Sequence, residues 1–224
     1  MYNYSWYCER WCNMKIGKKA VTRLSRYRDA LMTFKTYGVD RFFSWDLASA
    51  LGLTAAQVRK DFSVFNVEGK KKVGYSVDLL MVRIGEILGN NKTQNAVLCG
   101  TGLLGKAIIE EGLLSGAHVH LVAAFDDPGK KNVKSAFNLP VHPLDNLTDF
   151  VRNNKITIGI IAATGAKAQR FLDHLVLAGV TGVLSLSRSE LKAPRSCVVA
   201  TVNLARELEN VMYFVNNQQK KVPK

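Results

Sequence analysis

The chain has 224 residues, of which 47% are apolar and 22% are charged. This composition is typical of a globular protein and argues against a disordered one. The sequence has no run of about 18 apolar residues, so we expect neither a membrane-spanning helix nor a membrane partner. The formal net charge is +13, from 31 Lys and Arg against 18 Asp and Glu. A surplus of this size favours a polyanionic partner, and nucleic acid is the first candidate.

The four cysteines do not predict a disulfide framework, which is typical of shorter, secreted chains. Cys99 and Cys197 lie in apolar runs and are expected to be buried thiols. Cys8 and Cys12 have no second pair or nearby His to complete a metal site, so no bound metal is expected. They belong to residues 1–13, which we predict to be a disordered extension. These residues lack the basic start, apolar centre and small-residue cleavage site of a signal peptide, so we expect a cytoplasmic location.

The sequence changes character near residues 89–91. Before this point the apolar pattern is helical, and after it strands and helices alternate. Residues 1–92 hold 16 Lys and Arg against 8 Asp and Glu, so the smaller part carries more of the positive charge. We therefore predict a first domain over 14–90, a second over 91–202 and a C-terminal segment over 203–224.

The first domain begins with three predicted helices. Apolar residues spaced by three and four predict a helix over about 18–37. Ser44 is expected to cap a second helix. Thr54 and Gln57 fit a capping box that opens a third helix, which extends to about Phe65. Two short helices joined by a tight turn form a helix-turn-helix.

The third helix has an apolar face and a polar face. Val58, Phe62 and Phe65 are spaced to point into the core. The opposite face carries small or polar groups beside long donors, which suits entry into the major groove of DNA. A solvated face without a ligand has the same pattern. The candidate DNA-binding residues in this region are Ser44, Gln57, Arg59, Lys60 and Ser63.

A basic segment follows the third helix. Residues 67–75, VEGKKKVGY, predict a short β-hairpin with Lys70, Lys71 and Lys72 at its tip. Such a wing can lie along phosphates or in a minor groove. The order of helix, helix-turn-helix and basic wing predicts a winged-helix DNA-binding domain. A further helix over about 77–88 leads into the second domain.

The second domain opens with a nucleotide-binding motif. Residues 95–99 predict a buried strand, the segment GTGLLG follows at once, and a helix comes next. The first glycine permits the tight turn, the second lets a pyrophosphate approach, and the third allows close packing of helix on strand. The pyrophosphate would lie at the helix N-terminus. The candidate cofactor-binding residues of the loop are Gly100, Thr101, Gly102, Leu103, Leu104 and Gly105.

The next predicted strand, over 119–125, ends at Asp126. This acid follows Gly105 by 21 positions, where the ribose-binding acid of a dinucleotide site is expected. A carboxylate there accepts from a ribose 2′-OH and repels a 2′-phosphate, which favours NAD(H) over NADP(H). Lys130 and Lys131 are close enough to weaken that preference. In the alternative interpretation, Asp126 only starts a turn.

The alternation continues to about residue 202, with helices over 145–153 and 166–178 and strands over 156–163, 182–186 and 197–202. This pattern predicts an α/β fold with a Rossmann doubly wound parallel sheet. The turn Ala162-Ala163-Thr164 lies at the carboxyl end of a strand, where such sheets bind their ligand, so these three residues are further cofactor-binding candidates.

The last predicted helix extends over about 204–218 and is capped by Asn203. Its apolar seam, Leu204, Leu208, Val211 and Val215, indicates a helix that covers its own sheet or packs on a partner chain. Because operator-binding helix-turn-helix proteins work as two-fold dimers, we expect a dimerisation helix and a homodimer.

No acid–base or nucleophilic set accompanies the predicted cofactor site. The four histidines, His118, His120, His142 and His174, lie away from every motif. We therefore expect no catalytic residues and no enzyme activity. A small NAD-dependent oxidoreductase is the least favoured alternative, because it would need a catalytic group and a substrate domain.

Together these motifs resemble the Rex family of redox-sensing transcriptional repressors, over about residues 23–214. The matching segments are ALGLTAAQVRKDFSVF, GKKKVGY, GTGLLG, LVAAFD and LARELENVMYF. The resemblance implies a homodimer that binds an inverted-repeat operator in double-stranded DNA when NADH is low, and that NADH releases. It places Gln57, Arg59 and Lys60 on the recognition helix, Lys70 and Lys71 on the wing, Gly100 to Gly105 at the dinucleotide loop and Asp126 at the ribose. It also implies that the last helix packs on the partner subunit.

The chain departs from the family pattern mostly in its nucleotide-binding half. The departures are Val64, Asn66, Lys72, Leu103, Ala162-Ala163-Thr164, Leu186-Ser187-Arg188 and Asn203. The alternative hypothesis is a divergent DNA-binding regulator. Its Rossmann domain would bind another nucleotide, such as coenzyme A or NADP, or only dimerise.

Overall fold

The computed structural model describes residues 18–69, 72–89, 92–114, 117–127 and 139–219. The chain divides into two compact units, residues 1–92 and 93–224. The expected extension over 1–13 lies outside the described residues. Within the described ranges, no helix is both long and apolar enough to cross a membrane.

The described part of the first unit is mostly helical. Its elements are α1 (Lys18–Thr36), β1 (Arg41–Phe42), α2 (Ser44–Leu51), α3 (Ala55–Val64), β2 (Tyr75–Ser76) and α4 (Val77–Leu88). Each helix begins and ends close to the bounds that the apolar spacing predicts. Gly52 and Gly89 adopt left-handed backbone at the ends of α2 and α4, which lets their N–H groups bond to free carbonyls of the last helical turn.

Aromatic side chains from several elements fill the core of the first unit. Tyr27 of α1 meets Phe62 of α3 edge to face, with ring centroids 5.7 Å apart. Leu31 and Phe65 are fully buried beside them. Burying each such side chain stabilises the fold by about 1.5–3 kcal/mol. The recognition helix candidate, α3, is thus held by its apolar face.

The sequence predicts a β-hairpin over residues 67–75. That prediction is wrong for the described part of the segment. β2 pairs antiparallel with β1, with Arg41 opposite Ser76 and Phe42 opposite Tyr75, and residues 67–69 carry no strand. The rings of Phe42 and Tyr75 stack with centroids 5.6 Å apart, and Phe42 is buried. β1 and β2 pair where they close the core of the first unit. The spacing of residues in the sequence does not reveal that pairing.

The second unit alternates strands and helices, as its sequence predicts. Its elements are β3 (Gln94–Cys99), α5 (Leu103–Glu110), β4 (Val119–Asp126), β5 (Val141–Pro143), a 3₁₀ turn (Leu144–Asn146), α6 (Leu147–Asn153), β6 (Ile158–Ile161), α7 (Gly165–Ala178), β7 (Gly182–Ser185), β8 (Val198–Thr201) and α8 (Leu204–Gln219). The sequence did not reveal β5, because three residues that include a proline carry almost no strand signal.

The six strands form one parallel sheet in the order β5-β4-β3-β6-β7-β8. Counted from the first strand of this unit, that order is 3-2-1-4-5-6, the order of a Rossmann fold. It reverses between β3 and β6, so the carboxyl ends of these two strands flank the crevice where such sheets bind ligands.

Apolar residues cover both faces of the sheet. Along β3, Val97 and Cys99 belong to one buried cluster and Ala96 and Leu98 to the other. The first cluster includes residues of α6 and α7, whereas Ile108 of α5 joins the second. The layers explain the continuous apolar runs of the strands. Cys99 and Cys197 are buried as expected, and burial raises the pKa of both thiols.

The C-terminal helix α8 is exposed around its circumference. Every residue from 204 to 216 is exposed, including Leu208, Val211 and Phe214 at 57–64%. Asn203 caps the helix as expected, because its Oδ1 accepts from the backbone N of Ala205 at 3.1 Å. An exposed apolar seam of this kind points to a partner surface.

Candidate functional site

The helix α3 presents a polar face to solvent. Val58 and Phe62 on the opposite side are buried, whereas Lys60 and Ser63 are exposed. Thr54 caps the helix, since its hydroxyl accepts from the backbone N of Gln57 at 3.1 Å. The second half of the expected capping box is absent, because the Gln57 side chain bonds to Asp61 instead.

A buried polar cluster fixes α3 to α1. The carboxylate of Asp61 accepts from Nε and Nη2 of Arg23 at 2.5 and 2.7 Å, from the Tyr27 hydroxyl at 2.7 Å and from Nε2 of Gln57 at 2.8 Å. Burial opposes ionisation, but the hydrogen bonds from these three residues outweigh it and hold the pKa of Asp61 below its usual value. Sequence reasoning missed this cluster, because the spacing of 38 residues between Arg23 and Asp61 carries no local signal.

Ser44 does not cap α2. The N-cap is Phe43, whose backbone N donates to the Asp46 carboxylate at 2.7 Å, so the expected serine cap is wrong. Ser44 is buried, and its hydroxyl accepts from Nη1 of Arg59 at 3.1 Å. This contact orients Arg59 on α3 and leaves little of Ser44 to reach DNA directly.

The structure describes only part of the predicted basic wing, residues 67–75. Lys70 and Lys71 lie outside the described residues. Lys72 is exposed and has left-handed backbone with φ of 65°. Tyr75, at the base of the wing, packs edge to face on Phe62 of α3, with ring centroids 4.8 Å apart. This contact ties the segment that precedes α4 to α3.

The glycine-rich loop lies at the switch point of the second unit. A Cβ on Gly105 would lie 2.0 Å from the carbonyl oxygen of Gly100, and one on Gly100 would lie 2.6 Å from the carbonyl oxygen of Ala162. These two glycines are therefore required by close backbone contacts. A Cβ on Gly102 would meet nothing within 4 Å of the described protein. The described protein contacts do not require a glycine there, and the open space leaves room for the close approach of a ligand.

The N-terminus of α5 faces open space beside Gly102. Among the described residues, no side chain caps this helix. Its first N–H groups have no partner within the helix, and the helix dipole adds positive potential, so the end suits a pyrophosphate. Leu103 is 91% exposed and Leu104 is 40% exposed, so both expected loop residues border the same space.

The expected turn after β6 lies beside this loop. The backbone N of Ala162 donates to the carbonyl oxygen of Cys99 at 2.8 Å, which places 162–164 next to the start of the glycine loop. Ala162 is buried, Ala163 is half-buried and Thr164 is exposed at the N-terminus of α7. The structure thus brings the two groups of predicted cofactor residues together at one edge of the sheet.

Asp126 lies at the end of β4, as expected, but its carboxylate is occupied. Oδ2 accepts from the backbone N of Thr101 at 2.9 Å and from its hydroxyl at 2.6 Å. Oδ1 accepts from the backbone N of Asp127 at 2.8 Å and from Nζ of Lys167. A carboxylate offers about four lone-pair positions, and all are filled within the protein. The expected ribose contact stays a prediction, and it requires one of these donors to leave.

Hydrogen bonds also set the charge of Asp126. Burial opposes its ionisation, but bonds from Lys167 and Thr101 outweigh that effect and hold its pKa below the usual value. Sequence reasoning missed Lys167, since a single lysine on a helix is typical of a solvated face. Only the fold places α7 across the crevice from the end of β4.

Known proteins match this chain in both units. Residues 15–63 match the family described as "Putative DNA-binding protein N-terminus". Over 203 residues the chain is 32% identical to the redox-sensing transcriptional repressor Rex of Streptococcus pyogenes serotype M4 (strain MGAS10750), covering 90% of this chain and 95% of that protein. The Rex repressor of Streptococcus agalactiae serotype Ia is 34% identical over 206 residues, covering 91% and 98%.

The chain belongs to the Rex family.

Crystal structures of a Rex-family repressor, RSP, have the same fold. RSP matches with a TM-score of 0.82 at 29% identity, over 92% of this chain and 97% of that one. RSP in complex with β-NAD⁺ and operator DNA gives a TM-score of 0.84 at 29% identity, over 92% and 95%. Its complex with β-NADH gives 0.81 at 29% identity, over 92% and 97%. The expected α/β fold class and the resemblance to Rex are confirmed.

Two departures from the Rex pattern have structural roles in this chain. Asn203, besides capping α8, donates from Nδ2 to the carbonyl oxygen of Arg188 at 2.9 Å. Ser187 is fully buried and bonds to the Ser185 hydroxyl at 2.9 Å and to the carbonyl oxygen of Ser189 at 2.6 Å. These contacts order the carboxyl end of β7 and the entry to α8.

Proposed function

We propose that this Rex-family chain is a DNA-binding transcriptional repressor that senses the NADH/NAD⁺ ratio. As a homodimer it binds an inverted-repeat operator, and NADH releases it. One observation carries the proposal. A single chain holds a recognition helix with an exposed basic face and a glycine loop with an open position at the switch point of a Rossmann sheet. Relatives named as redox-sensing repressors match both parts.

Within this proposal, α3 enters the major groove. Lys60 and Ser63 supply donors from the exposed face, and Gln57 and Arg59 flank them with side chains oriented by Asp61 and Ser44. Lys72 contacts the phosphate backbone, and we assign the same role to Lys70 and Lys71 on sequence grounds. The net charge of +13 strengthens the encounter with DNA.

The nucleotide is assigned to the crevice beside Gly102. The pyrophosphate lies at the N-terminus of α5, against backbone N–H groups of residues 102–105. Thr101 fixes the loop to Asp126 and acts as a positioning residue. Residues 162–164 border the far side of the crevice, where the nicotinamide end extends.

The homodimer is assigned to α8. Its apolar side chains are exposed over the whole helix, and a face of this kind is stable in water when a second copy covers it. Two-fold symmetry then presents two copies of α3 to the two half-sites of an operator. The domain assignment stays at 14–90, 91–202 and 203–224.

The relatives are transcriptional repressors, and the assigned residues bind rather than catalyse, so we assign no enzyme activity. Action on DNA agrees with the cytoplasmic location that the sequence predicts. A measurement of nicotinamide oxidation or reduction with candidate hydroxy and keto acids tests this assignment, and any turnover would contradict it.

The proposal is tested by fluorescence anisotropy with a palindromic operator candidate at fixed salt. The protein is titrated alone and then with NADH, NAD⁺ or NADPH. We expect tight binding that falls steeply with salt and that NADH reverses, while NAD⁺ does not. Absence of salt-dependent binding to any inverted repeat would contradict the repressor assignment.

A second candidate function rests on one observation, the exposed Leu103 at the pyrophosphate loop. In this alternative the chain is a DNA-binding regulator whose Rossmann domain binds another nucleotide or only dimerises. DNA binding that does not respond to NADH, with a stable dimer, would favour it.

A further inference from the structure

Two aromatic rings stack at the start of α2. The rings of Phe43 and Trp45 are nearly parallel, at 10°, with centroids 4.3 Å apart. Phe43 is half-buried, whereas Trp45 is 57% exposed. Among the described residues, none accepts a hydrogen bond from the indole N–H of Trp45. A large apolar ring with one free donor is typical of a surface that a binding partner covers.

The stack lies beside both α3 and the predicted basic wing. Ser44, between the two aromatic residues in the chain, bonds to Nη1 of Arg59 on α3 at 3.1 Å. The Phe43 ring lies against the backbone of Gly74, because a Cβ on that glycine would be 3.3 Å from Cδ1 of Phe43. The exposed indole of Trp45 therefore borders the surface that the proposed function assigns to DNA.

The side chains on either side of the stack favour an anionic partner. Arg59 of α3 and Lys72 of the predicted basic wing are both exposed. Asp46, the acid next to Trp45 in the chain, is half-buried and accepts from the backbone N of Phe43 at 2.7 Å. Because that carboxylate is held against the helix N-terminus, the exposed cations set the local potential.

The backbone of duplex DNA matches both properties of an indole. The deoxyribose ring presents C–H groups that pack on an aromatic face, and the phosphate oxygens accept from an N–H group. In a helix-turn-helix the first helix crosses this backbone while the second lies in the major groove. Here the first of the two helices is α2, and Trp45 is in its first turn.

We propose that Trp45 is a DNA-contact residue, whose indole packs on a deoxyribose of the operator backbone and donates its Nε1 hydrogen to a phosphate. This contact carries neither charge nor base information, so it adds affinity for every sequence without adding salt dependence. The inference rests on the DNA binding of the proposed function. Sequence reasoning missed Trp45, because one exposed aromatic residue produces no periodic signal.

The first experiment is fluorescence anisotropy of the full chain with labelled DNA at several salt concentrations. The two duplexes are the operator candidate and a scrambled duplex of equal length. The variants are Trp45→Ala, which removes the indole, and Trp45→Phe, which keeps a ring and removes the donor. Tyr37→Ala is the matched control. Tyr37 is 80% exposed after the last turn of α1, which pairs with α4 through Lys35 and Asp78 at 2.6 Å.

Trp45→Ala should weaken binding to both duplexes by about tenfold or more, the usual effect of losing a hydrogen bond to a charged group. The slope of log affinity against log salt should stay the same, because no charge is removed. Trp45→Phe should have an intermediate affinity, and Tyr37→Ala should bind as the unmodified chain does. The melting temperature and NADH binding of each variant show that it is folded.

The second experiment measures directly whether DNA covers the indole. Trp6→Phe together with Trp11→Phe leaves Trp45 as the only tryptophan of the chain. Quenching of its fluorescence by acrylamide should decrease when the operator is added. It should not decrease when the protein concentration alone is raised. This result needs no substitution at position 45, so it does not depend on the folding of those variants.

Three outcomes overturn this proposal and leave the repressor assignment in place. The first is operator affinity of Trp45→Ala within about twofold of the unmodified chain. The second is acrylamide quenching that the operator does not change, or that falls with protein concentration alone, which assigns the indole to a second copy. The third is a salt slope lowered by about one in Trp45→Ala, which means that Trp45 only positions a nearby cation. If the unmodified chain binds no inverted repeat, the repressor assignment and this proposal are both overturned.

Discussion

The side-chain amide of Gln57 donates from Nε2 to Oδ1 of Asp61 at 2.8 Å. Asp61 is buried and ionised, so it can only accept, and the amide orientation is therefore fixed. The amide retains its carbonyl oxygen and one further N–H. This pair matches the N6 and N7 edge of adenine in the major groove.

Gln57→Ala should therefore relax specificity at one base position and weaken operator binding by about 1–3 kcal/mol. The fold should persist, because Gln57 is only half-buried and Asp61 keeps Arg23 and Tyr27. Selection of operators from random DNA by both proteins measures the change. An unchanged base preference at every position would contradict base readout by Gln57.

Lys60→Ala should weaken binding to all sequences to a similar extent. Lys60 is exposed, and the proposed function assigns its ammonium to the DNA, so its loss should lower the slope of log affinity against log salt by about one. Anisotropy titrations at several salt concentrations give the slope. NADH binding measured on the same variant serves as the control and should not change.

Gly102→Val should abolish nucleotide binding without unfolding the chain. A side chain at 102 meets open space and the backbone is extended there, but it fills the path of the pyrophosphate. Calorimetry with NADH should show no binding, and operator binding should no longer respond to NADH. Retained NADH binding by Gly102→Val would place the pyrophosphate elsewhere.

By contrast, Gly105→Ala should lower the melting temperature, because its Cβ would lie 2.0 Å from the carbonyl oxygen of Gly100.

Asp61 should make the free energy of unfolding of the first unit depend on pH in the acid range. Its folded pKa lies below the value of about 3.9 expected in the unfolded chain, so its contribution is complete above about pH 4 and is lost as pH falls through the folded pKa. Asp61→Ala leaves Arg23 without its buried partner and should cost about 3–5 kcal/mol at pH 7. Denaturant unfolding followed by tryptophan fluorescence reports on this unit, since all three tryptophans precede residue 93. Equal acid sensitivity of Asp61→Asn and the unmodified chain would contradict this assignment.

Val211→Asp should dissociate the dimer. A carboxylate placed in an apolar seam and covered by a second copy is buried without a partner, at a cost of about 3 kcal/mol or more, which weakens the dimer more than about a hundredfold. Asn210→Asp, about 130° around α8 from the seam, is the matched control. Sedimentation equilibrium gives the mass of each variant. A monomeric unmodified chain would contradict the homodimer.

The apolar spacing of the sequence located most of the elements, because helices and strands bury one face or both at a fixed period. Val58 and Phe62 are buried where that period predicts, and Gly100 and Gly105 make the close contacts that the loop motif implies. The pairing of β2 was not predictable, since Phe42 and Tyr75 meet only through the core of the first unit.

The sequence by itself determined two units, the helix α3 with its polar face, a glycine loop and an acid at the end of the second strand, since each depends on neighbours within about 20 residues. The tertiary structure alone decided which partners those groups have. Arg23 reaches Asp61 across 38 positions and Lys167 reaches Asp126 across 41. Folding brings these charges together with no fixed sequence spacing, because helices from different parts of the chain share one core. The chemistry available at Gln57 and Asp126 therefore depends on contacts that local patterns cannot encode.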